Sequence, residues 1–348
     1  MGNRKGFTAM GDQLGKLPPV EEADLTGKTV LIVGASTGIG LEAARHFSRM
    51  NPSRLILACR SEQRGKAAIA SIRETTGYAK ADLMLVELGD FSSVKAFLDK
   101  VDDEVVELDI VLMNAALGVF EYEVTSDGWE RTLQVNYLSS SLISLRLLPK
   151  MLETAEKRRQ APRMVIVTSN LHQDAPIEDS FMDAPSVLEL LTSEKYHAPY
   201  AGFTQYGLTK LLNLLFTIGL ADRLPRSKPT IIANCVHPGF CASSLTRDAR
   251  GIARLIFAIA NRLIARSTEQ GSRALVWAAV GRPWDADKLQ GKYIVVAEPV
   301  EPGDNVISER GRKFRDILWH DTLKHLSKID SKVQSICDQY LLDPPTPV

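Results

Sequence analysis

An α/β fold, built on a doubly wound parallel sheet of seven strands, is what this chain of 348 residues predicts, and three observations point to it. Short β-branched runs alternate with longer amphipathic stretches, the order expected when helical crossovers join parallel strands. A glycine-rich turn, GASTGIG at residues 34–40, follows the first run and opens a helical stretch. The hydrophobic fraction, 45%, is that of an ordinary globular protein and suffices for a large core. This length admits two domains, yet open α/β sheets of this size also form one cooperative unit.

In chain order the strands are expected at 28–33, 54–59, 82–87, 109–113, 163–168, 230–236 and 292–297. Helices are expected at 39–50, 62–76, 92–101, 126–152, 204–224 and 268–280. Right-handed crossovers place these helices on both faces and leave a ligand crevice at the carboxyl ends of the strands. A catalytic domain over 25–298 is thus expected, preceded by a flexible arm, residues 1–24, with Pro18 and Pro19 near its end. Two insertions, 170–203 and 241–267, are placed to wall a substrate pocket. Residues 299–348 form a tail with one amphipathic stretch from 309 to about 326.

Lys and Arg together number 42, as do Asp and Glu, so no positive field exists to gather nucleic acid or an anionic membrane. Cys59, Cys235, Cys241 and Cys337 show no metal-ligand spacing and no disulfide framework, and they read as reduced thiols. No metal site is expected. No apolar run reaches the roughly 18 residues of a membrane span, and the N-terminus lacks the apolar core of a secretory signal. A soluble, cytoplasmic protein is expected.

Beyond the glycine turn, the chain carries NAA at 114–116, Asn136, Ser169, YGLTK at 206–210 and HPG at 237–239, in that order. With these motifs the chain resembles the short-chain dehydrogenases/reductases, and the likeness spans 25–297, about four fifths of the sequence. Through ACRS at 58–61 and VHPG at 236–239 it is similar to the retinol-dehydrogenase-like and protochlorophyllide-reductase-like branch. Reductases of this build also serve fungal secondary-metabolite pathways. The resemblance implies a Rossmann-type sheet, a nicotinamide cofactor, and Ser169, Tyr206, Lys210 and Asn136 as the catalytic set.

The glycine turn has its own physical content. Gly34 permits the tight turn after the strand, Gly38 lets backbone approach a pyrophosphate, and Gly40 allows close helix–sheet packing. Ser36, Thr37 and Ile39 complete the cradle at a helix N-terminus, where amides face the phosphate. Val33 stands where the family usually has Thr, which removes a hydrogen bond worth about 1 kcal/mol. At the end of the second strand a carboxylate would select the ribose 2′-hydroxyl. Here Arg60 follows Cys59, with Arg64 one helical turn on, and this argues for NADP(H). Glu62 is the acid that a register error of two residues would bring in. Glu87 replaces the family's Asp near the adenine, with Leu88 beside it. Asn114 and Ala115 end the fourth strand against the adenosine ribose, and Ala116 replaces a more usual Gly. Pro238 and Gly239 shape a turn over the nicotinamide, and Ser243 stands where a Thr often contacts the carboxamide.

Tyr206 and Lys210 lie four residues apart on one helical face. A free phenol titrates near 10, and an ammonium at about 4–5 Å, at an effective dielectric near 20, contributes roughly 3–4 kcal/mol toward the phenolate. Tyr206 becomes general acid in reduction and general base in oxidation. Ser169, ending the fifth strand, hydrogen-bonds the substrate oxygen, whereas Thr168 points the other way. The resemblance adds that Lys210 grips the nicotinamide ribose and that Asn136 holds a water linking Lys210 to solvent. His237 reads as structural, and His172 and His197 are weaker candidates for substrate contact.

Residues 251–266 (GIARLIFAIANRLIAR) read first as an amphipathic lid over a lipophilic substrate, then as plain core packing, and last as a peripheral membrane or partner contact. The expected reaction is NADP(H)-dependent interconversion of a lipophilic ketone or aldehyde and its alcohol. Reduction of a conjugated C=C bond is one alternative, and a non-catalytic NADP(H) sensor or scaffold another. A homodimer would pair the helices at 126–152 and 204–224, unless the tail blocks one face.

Overall fold

The run TVLIV is buried along its whole length and forms the central strand β1 (Thr29–Val33), because helices cover both of its faces. The computed structural model describes residues 7–118, 121–197, 203–225, 229–242 and 262–342. These form a sheet of eight strands: β1, β2 (Arg54–Cys59), β3 (Ala81–Leu85), β4 (Ile110–Met113), β5 (Arg163–Val167), β6 (Ile232–His237), β7 (Tyr293–Val295) and β8 (Glu298–Val300). Their order is β3-β2-β1-β4-β5-β6-β7-β8, parallel through β7. The winding reverses between β1 and β4, which opens a crevice at their carboxyl ends.

The eighth strand corrects the expectation of seven. Val296 adopts a φ of +61°, which folds Glu298–Val300 back antiparallel on β7. Pro299 is tolerated there because an edge strand can spare a donor.

Alternate residues feed two cores. Leu31 and Val33 pack with the helices Phe91–Glu104, Ser139–Arg146 and Phe203–Arg223, while Val30 and Ile32 pack with Gly38–Arg49, Glu62–Thr76 and Thr268–Val280. The single helix expected over 126–152 is broken. A turn at Arg131–Leu133 leads into a π-helical stretch, Gln134–Leu138, then Ser139–Arg146, and Leu148–Arg158 begins afresh with a proline in its first turn. The turn Arg131–Leu133 is started by Glu130, fully buried, whose carboxylate accepts from the amides of Thr132 (2.9 Å) and Leu133 (2.8 Å).

The C-terminal tail is part of the core. Its helices Glu309–Ile329 and Lys332–Tyr340 lie against the two long helices that a second copy was expected to use. Trp319 stacks on Phe216 with centroids 5.5 Å apart, Tyr137 and Thr322 share a hydrogen bond of 2.7 Å, and buried Asp330 pairs with Arg146. Nor is the whole N-terminal arm free: Phe7–Leu14 is helical, and Gln13 hydrogen-bonds to Phe240 and Ile264.

His172 belongs to this architecture and not to a substrate wall. Fully buried, it meets the carbonyl of Ser169 through Nδ1 at 2.6 Å and accepts from the amide of Gly303 at Nε2 (3.1 Å), so the ring must be neutral. Burial pulls its pKa down to about 4 and that of His237 to about 3. The unfolded chain protonates both near the ordinary 6.5 and so binds more protons below that pH. Stability should be full above pH 6.5 and fall as the pH drops toward 4. Urea unfolding at a series of pH values would measure this, and a flat midpoint down to about pH 5 would contradict it.

Candidate active site

The crevice holds a cavity of about 630 Å³ that runs from Arg60 at one end to Tyr206 at the other. Its floor is the glycine turn. Gly34 has a φ of +91°, and a Cβ there would lie 2.7 Å from the backbone of Ala115, so only glycine lets β1 turn beside the end of β4. Gly40 sits behind the wall, where a Cβ would come within 2.2 Å of the Gly34 carbonyl oxygen. Gly40→Ala should therefore lower stability by about 1–3 kcal/mol, read as a reduced urea midpoint, because the obstacle is backbone that cannot swing aside.

Three features of this floor fit the phosphates and ribose of a nucleotide. Thr37 caps Gly38–Arg49 without a side-chain hydrogen bond, leaving first-turn amides for a ligand. Gly38 faces open space, with nothing within 4 Å of a built Cβ. Asn114 donates to the Gly34 carbonyl at 2.8 Å, and its Oδ1 is buried without a partner among the described residues. Ser36, Thr37, Ile39, Asn114 and Ala115 all line the cavity.

At the adenosine end Arg60 is largely exposed, and its Nε lies 3.4 Å from Glu87 Oε2. Arg64 lines the same end, in the first turn of a helix that Ser61 caps by accepting its amide at 3.3 Å. Glu62 turns away to Lys66 at 2.6 Å and does not line the cavity. Leu88 completes this end; its carbonyl accepts from Ser139 at 2.6 Å.

Tyr206, Lys210 and Ser169 meet at the opposite end. Lys210, 1% exposed, lies with its ammonium 5.3 Å from the Tyr206 ring centroid and donates to the Val167 carbonyl at 2.9 Å. Burial lowers its pKa to about 8 and raises the Tyr206 phenol above its ordinary value. Desolvation is the largest cause of the rise at Tyr206, and Cys241 adds to it. Ser169 keeps its hydroxyl close to local backbone, accepting from Leu171 at 3.3 Å, while Thr168 turns away to the Lys210 carbonyl at 2.8 Å.

Asn136 does not reach the cavity wall. Its amide accepts from Leu117 N (2.8 Å) and donates to Leu117 O (2.8 Å) and Thr209 Oγ1 (3.1 Å), so it pins the loop after β4. Pro238 and Gly239 do line the cavity, followed by Phe240 and Cys241, which sequence reasoning passed over because neither belongs to a motif. His197 is buried beside Tyr122, ring centroids 5.4 Å apart. Ser243 lies outside the described residues, as does most of the stretch 251–266.

A glycine turn at the point where the winding reverses, sharing a cavity with a buried tyrosine and lysine, is the layout of a nucleotide-dependent oxidoreductase. The sequence profile of the short chain dehydrogenases matches residues 28–179. The chain is 32% identical over 325 residues to the short-chain dehydrogenase/reductase phmF of Phaeosphaeria nodorum, covering 92% of this chain and 93% of that one. It is 35% identical over 287 residues to the short chain dehydrogenase atnD of Emericella nidulans, covering 81% and 88%. A short-chain dehydrogenase from Sphingobium yanoikuyae, solved in complex with NADPH, shares the fold with a TM-score of 0.53 at 20% identity over 72% of this chain and 82% of that one. The chain belongs to the short-chain dehydrogenase/reductase family, whose fold binds a nicotinamide cofactor. Among the described residues no helix is long and apolar enough to cross a membrane, no cluster of His, Cys, Asp or Glu is placed to hold a metal, and the four cysteines are free.

Proposed function

We propose that the protein is an NADP(H)-dependent carbonyl reductase acting on a lipophilic ketone or aldehyde, with Tyr206 as proton donor. The observation that carries this reading is the single cavity shared by Arg60, the glycine turn, Ser169, Tyr206 and Lys210. Bound NADPH supplies the hydride. The chain's own residues do the rest: Arg60 and Arg64 recognise the 2′-phosphate, and the turn 34–40 presents amides to the pyrophosphate. Ser169 orients the carbonyl oxygen and Tyr206 protonates it. Burial keeps the phenol in its protonated form, which is the form that donates, and the Lys210 ammonium stabilises the phenolate left after donation.

Leu117, Leu171 and Phe240 on the wall support an apolar substrate, and the NADPH bound to the Sphingobium relative supports the cofactor choice. The fungal short-chain dehydrogenases it resembles are consistent with a role in secondary metabolism. The test is NADPH consumption with lipophilic ketones, aldehydes and enones, products being identified by mass spectrometry. Alcohol products support the proposal. Saturated ketones from enones would replace it with C=C reduction, and binding of NADPH with no turnover of any substrate would replace it with a sensor.

A further inference from the structure

Residues 238–241 wall the cavity beside Tyr206 with no regular structure of their own beyond one β-bridge, Cys241 to Arg266. What holds them comes from the opposite end of the chain. The primary amide of Gln13 pairs with both backbone groups of one residue: its Oε1 accepts from Phe240 N at 2.8 Å, and its Nε2 donates to Phe240 O at 3.0 Å. The same Nε2 donates to Ile264 O at 2.7 Å, so one side chain ties together the two legs of the insertion that leaves the wall and returns to it. From the other side Arg266, 5% exposed, donates to the Pro238 carbonyl at 3.0 Å and to the Asp12 carbonyl, while its backbone amide meets Phe240 O at 2.8 Å. Gly239, with a φ of +87°, is pressed between them: a Cβ there would lie 2.5 Å from the Arg266 guanidinium and 3.0 Å from Gln13 Oε1.

We propose that Gln13 and Arg266 are positioning residues for the nicotinamide end of the cofactor site, and hence that the N-terminal segment is a working part of that site. The inference rests on the NADP(H) reading above. Its physical basis is preorganisation: a wall segment without a ladder of its own loses backbone entropy when a ligand orders it, and affinity rises when that ordering is already done. Gln13 does so without touching the ligand, since it reaches the cavity through the backbone of Phe240. The adenosine end, at Arg60, is held by different elements.

The test compares NADPH with adenosine 2′,5′-bisphosphate, which fills only the adenosine end, by fluorescence titration of the full chain and its Gln13→Ala and Gln13→Met variants. The methionine retains side-chain volume and removes all three hydrogen bonds, so it serves if the alanine variant folds poorly. Loss of these bonds should weaken NADPH about tenfold while the bisphosphate constant stays within about twofold. Equal weakening of both ligands, or no change in either, overturns the positioning role while leaving the cofactor reading intact. Failure of the unmodified chain to bind either ligand overturns the cofactor reading, and this inference with it.

Discussion

Tyr206→Phe should bind NADPH with nearly unchanged affinity while turnover falls on the order of 10²- to 10⁴-fold. The side chain is 9% exposed, so phenylalanine fills the same space and only the hydroxyl is lost. That hydroxyl has one assigned task, delivery of a proton to the carbonyl oxygen as hydride arrives on carbon. Without it water must serve, in a pocket that buries the donor. Steady-state kinetics and a binding titration on one preparation separate the two quantities. Turnover within a few-fold of the unmodified protein would remove Tyr206 from the mechanism; a parallel collapse of NADPH binding would make it a cofactor contact instead.

Arg60→Asp should invert cofactor preference. Charge-assisted hydrogen bonds contribute about 1.5–3 kcal/mol, so loss of the guanidinium alone lowers kcat/KM for NADPH on the order of 10- to 100-fold. The substitution also sets a second carboxylate near Glu87, whose Oε2 lies 3.4 Å from Arg60 Nε in the native arrangement. Two acids facing a 2′-phosphate repel it, whereas an acid can accept from the 2′-hydroxyl of NADH. The ratio of kcat/KM values for the two cofactors measures the switch. Equal use of NADPH and NADH by the unmodified protein would defeat the Arg60 argument before any substitution is made.

Legibility followed locality. The runs that became β1, β2, β4 and β5 were readable because strands buried on both faces must be apolar throughout. β8 was not, since a three-residue edge strand containing proline carries no pattern. The long helix at 126–152 read as continuous because its apolar residues keep a helical period, but the π-helical register at Gln134–Leu138 depends on what the side chains meet. Asn136 is the clearest instance: the motif resemblance marked it as one of the catalytic set, and only the fold revealed that both ends of its amide meet Leu117. His172 was misplaced for the same reason, its partner Gly303 lying 131 residues away.

From the sequence alone came the α/β class, read from the alternation of short runs, and the glycine turn, the Tyr206–Lys210 spacing and the arginine at the second strand's end, each of which is written in a few neighbouring residues. Tertiary structure alone decided which distant segments meet: Gln13 on Phe240 at the pocket wall, and the C-terminal helices over Phe216 and Tyr137 in the core; it also set the burial that lifts the Tyr206 phenol. The division is physical. Turn chemistry and helical spacing are encoded between neighbours, whereas desolvation and long-range hydrogen bonds exist only once the chain has brought remote parts together.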